Sequence, residues 1–140
     1  MRIEPVVDDD VDEVVALWRE SGLTRPWNDP HADIDTARRG PSTVLVGRDD
    51  GEVLATAMVG FDGHRGWVYY VAVRATSRGH GLGTEIMAAA EEWLRVRGVR
   101  KVQLMVRREN LPAVAFYRGR GYAEQDVAVL GRWLGPAGAP

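Results

Sequence analysis

The apolar positions of this chain switch between two spacings, and the switches mark its elements. Residues 2 to 7 read as a short strand. Val11, Val14, Val15 and Trp18 then recur at helical spacing behind Asp8, Asp9 and Asp10, which offer N-caps. Gly22 closes that helix. The two-proline loop from Thr24 to Pro30 leads into a short helix over about residues 31 to 39, stopped by Gly40-Pro41. Thr43 to Arg48 and Val53 to Phe61 are apolar and β-branched, with Asp49-Asp50-Gly51 between them as a hairpin signal. After the turn from Asp62 to Gly66, residues 67 to 73 are apolar on both faces, which predicts a central strand, the spine of a sheet.

Helical spacing returns over about Leu82 to Arg97, where Leu82, Ile86, Ala90, Trp93 and Leu94 share a stripe and Gly98 terminates it. Val102, Leu104 and Val106 alternate with polar residues as a strand. Asn110 can cap a fourth helix that has Pro112 in its first turn and Gly119 and Gly121 at its end. A last strand pair is expected over about 122 to 134. The pattern predicts a mixed α/β (α+β) fold: a central sheet of about six to seven strands flanked by four helices, with an antiparallel meander before the long crossover helix. Residues 1 to 134 are expected to form one domain, with 135 to 140 a disordered tail.

Charge and composition narrow the function. Eighteen basic residues face 20 acidic ones, a balance of −2 that gives no support to bulk-charge binding of nucleic acid or membrane surfaces. The absence of cysteine excludes disulfides, thiolate metal sites and a cysteine nucleophile, and fits a cytoplasmic protein. No signal-like or bilayer-spanning apolar run is present. His31, His64 and His80 lie in three separate elements without i, i+4 pairing, so no metal is expected. Of the five tryptophans, Trp18 and Trp93 lie on helix stripes and Trp67 and Trp133 in strands, which leaves Trp27 for a ligand.

The densest chemistry lies just after the strand at 67 to 73. Arg78-Gly79-His80-Gly81-Leu82-Gly83-Thr84 joins that strand to a helix, so several backbone N–H groups converge at a helix N-terminus, where the macrodipole also favours an anion. Arg74 and Arg78 add positive charge. The spacing misses the dinucleotide fingerprint, because the third glycine falls one place early, and no Gly-Lys-Ser/Thr is present for a Walker loop. A tight connection without a ligand is the other reading of the turn taken alone. Farther on, Tyr117 sits midway along the fourth helix with Ala113 and Gly121 four residues to either side. That face could admit a narrow ligand arm, or Tyr117 could simply be packing.

Together the two segments resemble the GNAT N-acyltransferase superfamily. Its acyl-CoA signature, Q/R-x-x-G-x-G/A, is met by Arg78-Gly79-His80-Gly81-Leu82-Gly83. Its later N-x-x-A-x-x-F-Y-x-x-x-G-F/Y pattern is met by Asn110, Ala113, Phe116, Tyr117, Gly121 and Tyr122. The loop Arg25 to Pro30 and the turn Asp62 to Trp67 also look like the bacterial YpeA-like branch. The resemblance implies a GNAT fold and acetyl-CoA as cosubstrate. Its pyrophosphate would lie on Arg78 through Thr84, and its pantetheine arm along Ala72 and Val73, contacted by Asn110 and by the helix face of Ala113 and Phe116. A backbone N–H near Val71 would stabilise the oxyanion, with direct attack by a primary amine and Tyr117 as general acid to the thiolate.

The chain departs from the family at the acidic residue many members carry on the strand before the signature. Tyr69 and Tyr70 stand there, which leaves Asp29, His64, Glu109 or a water chain as candidate base. By the same resemblance the acceptor is selected by the loop around Trp27, Asn28 and Asp29, with Tyr69. Those loop residues suit a cationic amine, and they suit equally a capped helix entry. A non-catalytic acyl-CoA-binding sensor or interaction domain is the alternative function. A homodimer paired through the strand around Val127 to Leu134 is the expectation for assembly.

Overall fold

The computed structural model describes residues 1 to 136 and carries five strands and four α-helices. The chain forms two compact units, Met1–Met105 and a second beginning at Val106. In the first, β1 (Arg2–Pro5) is followed by a 3-10 turn at Asp8–Asp10, α1 (Val11–Glu20) and α2 (Pro30–Arg39). Strands β2 (Ser42–Asp49), β3 (Glu52–Phe61) and β4 (Gly66–Val73) come next, then α3 (Leu82–Arg95) and β5 (Val102–Leu104). The second unit contains α4 (Leu111–Gly119).

The sheet order is β1-β2-β3-β4-β5. The first three pairings are antiparallel and β4–β5 is parallel, so the meander ends where α3 makes the crossover. The middle strand is therefore β3, and the expectation that β4 is the central one is corrected. β4 looked central because Val68 and Ala72 are buried beneath helices on opposite faces. The β2–β3 hairpin closes on Asp50 and Gly51, both at positive φ, as a tight two-residue turn requires.

Helices cover both faces. Val14, Val15, Leu17 and Trp18 of α1 and Ile34 of α2 pack with Val44, Val46, Val53 and Ala72 in one cluster. α3 packs on β2, β3 and β4, burying Ile86, Met87, Ala90 and Leu94. Asp10 does not cap α1 forward. It turns back to accept from the Val7 N–H at 2.9 Å and pairs with Arg48, which allows a 5 % exposed carboxylate at the edge of the core.

The strand pair expected over about 122 to 134 is absent from the described residues, so the sheet has five strands there rather than six or seven. Val127, Val129, Leu130, Trp133 and Leu134 alternate imperfectly with polar positions and remain exposed. A β-type pattern makes a strand only where a partner supplies the ladder. The expected dimer edge at Val127 to Leu134 is accordingly not a strand, and Trp133 is half exposed rather than in a strand core. Of the expected tail at 135 to 140, the last four positions lie outside the described residues.

Candidate active site

The site is built around β4. Its N-terminal half, Gly66 to Val68, pairs with Val102 to Leu104 of β5, and the pairing runs no farther along β4. On the other side β4 keeps register with β3 from Phe61↔Gly66 to Met58↔Tyr69 and resumes at Thr56↔Ala72, leaving Tyr70 and Val71 opposite Ala57 alone. This is a bulge, with Tyr70 at φ 52 in the left-handed region that non-glycine residues seldom adopt. Tyr69 and Tyr70 consequently face the same side of the sheet. Tyr69 pairs with Met58, while Tyr70 reaches α1 and α2.

A buried polar network holds the bulge. The Trp18 indole N–H donates to Thr56 Oγ1 at 2.8 Å, and that hydroxyl donates to the Tyr70 carbonyl at 3.0 Å. The Tyr70 ring stacks on Trp18 with centroids 3.8 Å apart and planes within 7°. The Tyr70 hydroxyl donates to Asp33 Oδ2 on α2 at 2.7 Å. Burial, and then the Asp33 carboxylate, push the Tyr70 hydroxyl well above its ordinary pKa. Strained backbone persists where the surroundings over-determine it, and here three side chains do so.

Val73 leads through Arg74 and a 3-10 turn at Ala75–Ser77 into the glycine turn. Gly79 and Gly81 have φ of 80° and 81°, and a Cβ on either would point into open space. Backbone conformation and room for a ligand, not internal packing, are what these two glycines supply. Gly81 stands at the N-cap of α3 without a side-chain cap, so the first-turn N–H groups of Leu82, Gly83 and Thr84 have no helical acceptor. Arg78 and His80 are exposed beside them, bonded to the carbonyls of Val73 and Ser77.

Arg74 departs from expectation. Its guanidinium donates to the Val53 carbonyl at 2.9 Å and lies among Glu13, Glu20 and Glu52 at 3.3, 3.9 and 3.1 Å, so its charge is spent within the fold. Arg78 is left as the cation of the turn. Glu13 and Glu20 are far off in sequence, and no local pattern pointed to them.

On the α1–α2 side of the sheet a cavity of about 310 Å³ is lined by Met58, Gly60, Phe61, Asp62, Trp67 and Tyr69 together with Pro41 and Ser42. Trp67 and Tyr69 lie nearly parallel, centroids 6.4 Å apart. Asp62 accepts from the Arg65 and His64 backbone N–H groups and from the Trp67 indole, which hold its carboxyl below the usual range. Burial raises the Tyr69 hydroxyl, with Asp62 adding to the effect.

Of the loop residues, Asp29 caps α2 by accepting from the Ala32 N–H at 3.1 Å, Asn28 belongs to a turn closed on Arg25, and Trp27 stands 45 % exposed. The helix-entry reading thus accounts for Asp29. Sequence reasoning missed Asp33. The available signal was the buried stripe Pro30, Ile34 and Ala37, which turns position 33 inward on α2.

In the second unit, Asn110 caps α4 through its side-chain oxygen and the Ala113 N–H at 3.3 Å, as its position predicts. Tyr117 is half-buried, edge-on to Phe116 at 5.0 Å and to Tyr122 at 5.7 Å. Burial pushes its hydroxyl up, against a smaller opposing effect of Arg120, so it stays protonated across the neutral range. Among the described residues no three His, Asp or Glu gather closely enough to hold a metal ion, and no helix is long and apolar enough to cross a membrane.

Comparison with known proteins agrees with this architecture. The Acetyltransferase (GNAT) family model matches residues 11–122, a span that crosses both units. An acetyltransferase of Sodalis glossinidius is 40 % identical over 136 residues, 96 % of each chain, and one of Yersinia pestis is 37 % identical over 135 residues, again 96 % of each. A predicted acetyltransferase from Clostridium acetobutylicum, solved with acetyl-CoA, shares the fold at TM-score 0.77 and 15 % identity, covering 94 % of this chain and 95 % of its own. The glycine turn after a bulged strand, the capped helix carrying Tyr117 and these matches together place this chain in the GNAT acetyltransferase family.

Proposed function

We propose that this acetyltransferase moves the acetyl group of acetyl-CoA to a primary amine, on a small molecule or a protein, by direct attack, and that residues 1 to 134 work as one domain. The observation that carries the reading is the glycine turn. Two glycines in the left-handed region with open space above them lead into an uncapped 14-residue helix at the end of a bulged strand. That arrangement fits a pyrophosphate, with Arg78 through Thr84 as its contacts and the helix dipole favouring its charge. The edge of β4 beyond Val68 lacks a β5 partner, so Ala72 and Val73 suit a pantetheine arm laid alongside as an added strand.

In this reading the amine nitrogen bonds to the thioester carbonyl carbon, and the Val71 N–H at the bulge stabilises the oxyanion that forms. The nitrogen gives up its extra proton to water, the carbonyl re-forms as the C–S bond breaks, and Tyr117 gives its proton to the departing thiolate. Tyr117 arrives protonated, as any tyrosine does near neutral pH, and its burial makes it a weaker acid than a free phenol, so the role rests on the family pattern rather than on the shift. On the family pattern Asn110, Ala113 and Phe116 accompany the arm. Tyr69, with the cavity it lines, is the acceptor-side candidate together with Trp27 and Asn28.

Calorimetric titration with acetyl-CoA tests the reading, comparing the wild type with Gly79→Val and Gly81→Val. A β-branched residue cannot hold φ near 80° without strain, and losing two charge-assisted bonds to phosphate weakens binding by roughly 100-fold. Wild-type affinity in both variants, or no binding to the wild type, would remove the cofactor site. Release of free CoA with a panel of primary amines then tests turnover.

A further inference from the structure

The backbone amides of β4 change direction partway along the strand. The Gly66 N–H donates to the Lys101 carbonyl at 2.9 Å, toward β5, while the Arg74 N–H donates to the Leu54 carbonyl at 2.8 Å, toward β3. Successive N–H groups of a regular strand alternate between its two edges, so two residues an even number of positions apart should point the same way. These two point oppositely because the bulge at Tyr70 and Val71 adds one residue to β4. Counted back from Arg74 through Val73 and Ala72, whose register with β3 is regular, the Val71 N–H faces away from β3. The β5 ladder ends at Val68, so that edge offers Val71 no strand partner.

The carbonyl of the same peptide unit is held from the other side. Thr56, on β3, donates through Oγ1 to the Tyr70 carbonyl at 3.0 Å. In a planar trans peptide the carbonyl and the following N–H are antiparallel, so a donor fixed on the Tyr70 oxygen aims the Val71 N–H out of the opposite edge. The phase of the strand and this side-chain bond thus give one direction independently. Thr56 is itself anchored, because it is fully buried and accepts from the fully buried Trp18 indole N–H at 2.8 Å. Hydrogen bonds in series polarise one another, and a carbonyl that accepts one leaves its amide a stronger donor. We infer that Thr56 is the positioning residue of the oxyanion site. Its hydroxyl, anchored by Trp18, orients and polarises the Tyr70–Val71 peptide so that the Val71 N–H meets the thioester oxygen as negative charge develops there. This rests on the amine-acetylating reading above.

The test compares the wild type with Thr56→Val, Thr56→Ser and, as a control for lost stability alone, Val44→Ala in the same fully buried core. Before any cofactor is added, the Val71 amide nitrogen resonance reports the bond to the carbonyl that precedes it. It should move upfield in Thr56→Val and stay in place in the other two. With acetyl-CoA labelled with carbon-13 at the thioester carbonyl, isotope-edited infrared should place the bound wild-type carbonyl stretch below that of free acetyl-CoA. The stretch should return toward the free value in Thr56→Val alone. With any amine found to be turned over, at a temperature where every variant is folded, Thr56→Val should lose about 10- to 100-fold in kcat, part of the roughly 100- to 1,000-fold that removal of a whole oxyanion donor costs. Its acetyl-CoA Kd should stay within about twofold of wild type, and the kcat of Thr56→Ser within about threefold. An unmoved Val71 resonance, or a Thr56→Val carbonyl stretch and kcat equal to those of Val44→Ala, overturns the assignment even though acetyl-CoA binds normally. Failure of the wild type to bind acetyl-CoA removes the functional reading and this role with it, an outcome distinct from normal binding with the Val71 resonance unmoved.

Discussion

Replacing Thr56 by valine removes one hydroxyl from the centre of the molecule and keeps its shape. Thr56 is fully buried, and its Oγ1 both accepts from Trp18 at 2.8 Å and donates to the Tyr70 carbonyl at 3.0 Å. Trp18 is also fully buried, so its indole N–H gains no water in exchange. A buried donor left without a partner costs about 1 to 3 kcal/mol, and the carbonyl loses a further bond, so the total is about 2 to 4 kcal/mol. For a chain of 140 residues, 1 kcal/mol moves the midpoint by about 3 °C, which predicts a fall of about 6 to 12 °C. Thr56→Ser keeps the hydroxyl and loses one methyl, at about 1 kcal/mol. Scanning calorimetry and urea titration followed by tryptophan emission give both numbers. A Thr56→Val protein within about 0.5 kcal/mol of wild type, or one no weaker than Thr56→Ser, would refute the reasoning that this hydroxyl holds the bulge.

Two further outcomes follow from the tyrosines. Tyr117→Phe should lower kcat by about 100-fold while leaving the acetyl-CoA Kd near wild type, as loss of a general acid does. Equal losses in both would instead indicate a packing role for the ring. Because burial raises the pKa of Tyr70 and Tyr117 above the unfolded tyrosine value, the folded state holds protons that the unfolded chain releases. Their contribution to stability is therefore complete below about pH 10 and is lost as the pH rises beyond it. Urea midpoints measured from pH 8 to 11 should fall above about 10, and Tyr70→Phe should flatten that fall. An unchanged slope would contradict the assignment.

Local elements were legible where their cause is local. The Asp50-Gly51 turn, the glycine-led start of α3 and the Asn110 cap each rest on residues within a few positions of one another, and all three stand where the sequence predicts. The left-handed glycines of the turn at Gly79 and Gly81 were legible for the same reason. What escaped depends on partners distant in the chain. The bulge at Tyr70 exists only against Ala57 of the neighbouring strand, and Arg74 is neutralised by Glu13, 61 positions away. The pattern at 122 to 134 suggested strands because it shows apolar spacing without showing whether a ladder partner exists. Asp33 was passed over because an acidic residue on a short helix ordinarily faces solvent, and its inward turn rests on the few apolar positions of α2.

The clamp on Arg74 also bears on how fast and how tightly the turn can take a ligand. Its backbone N–H donates to Leu54 at 2.8 Å, and its side chain ties the end of β4 to α1 and to the start of β3. The segment that enters the glycine turn is thereby rigid before any ligand arrives. An anion docking there orders little additional chain, so the entropy that a floppy loop would lose on binding has already been given up during folding. Association should then be limited by encounter rather than by rearrangement of the protein.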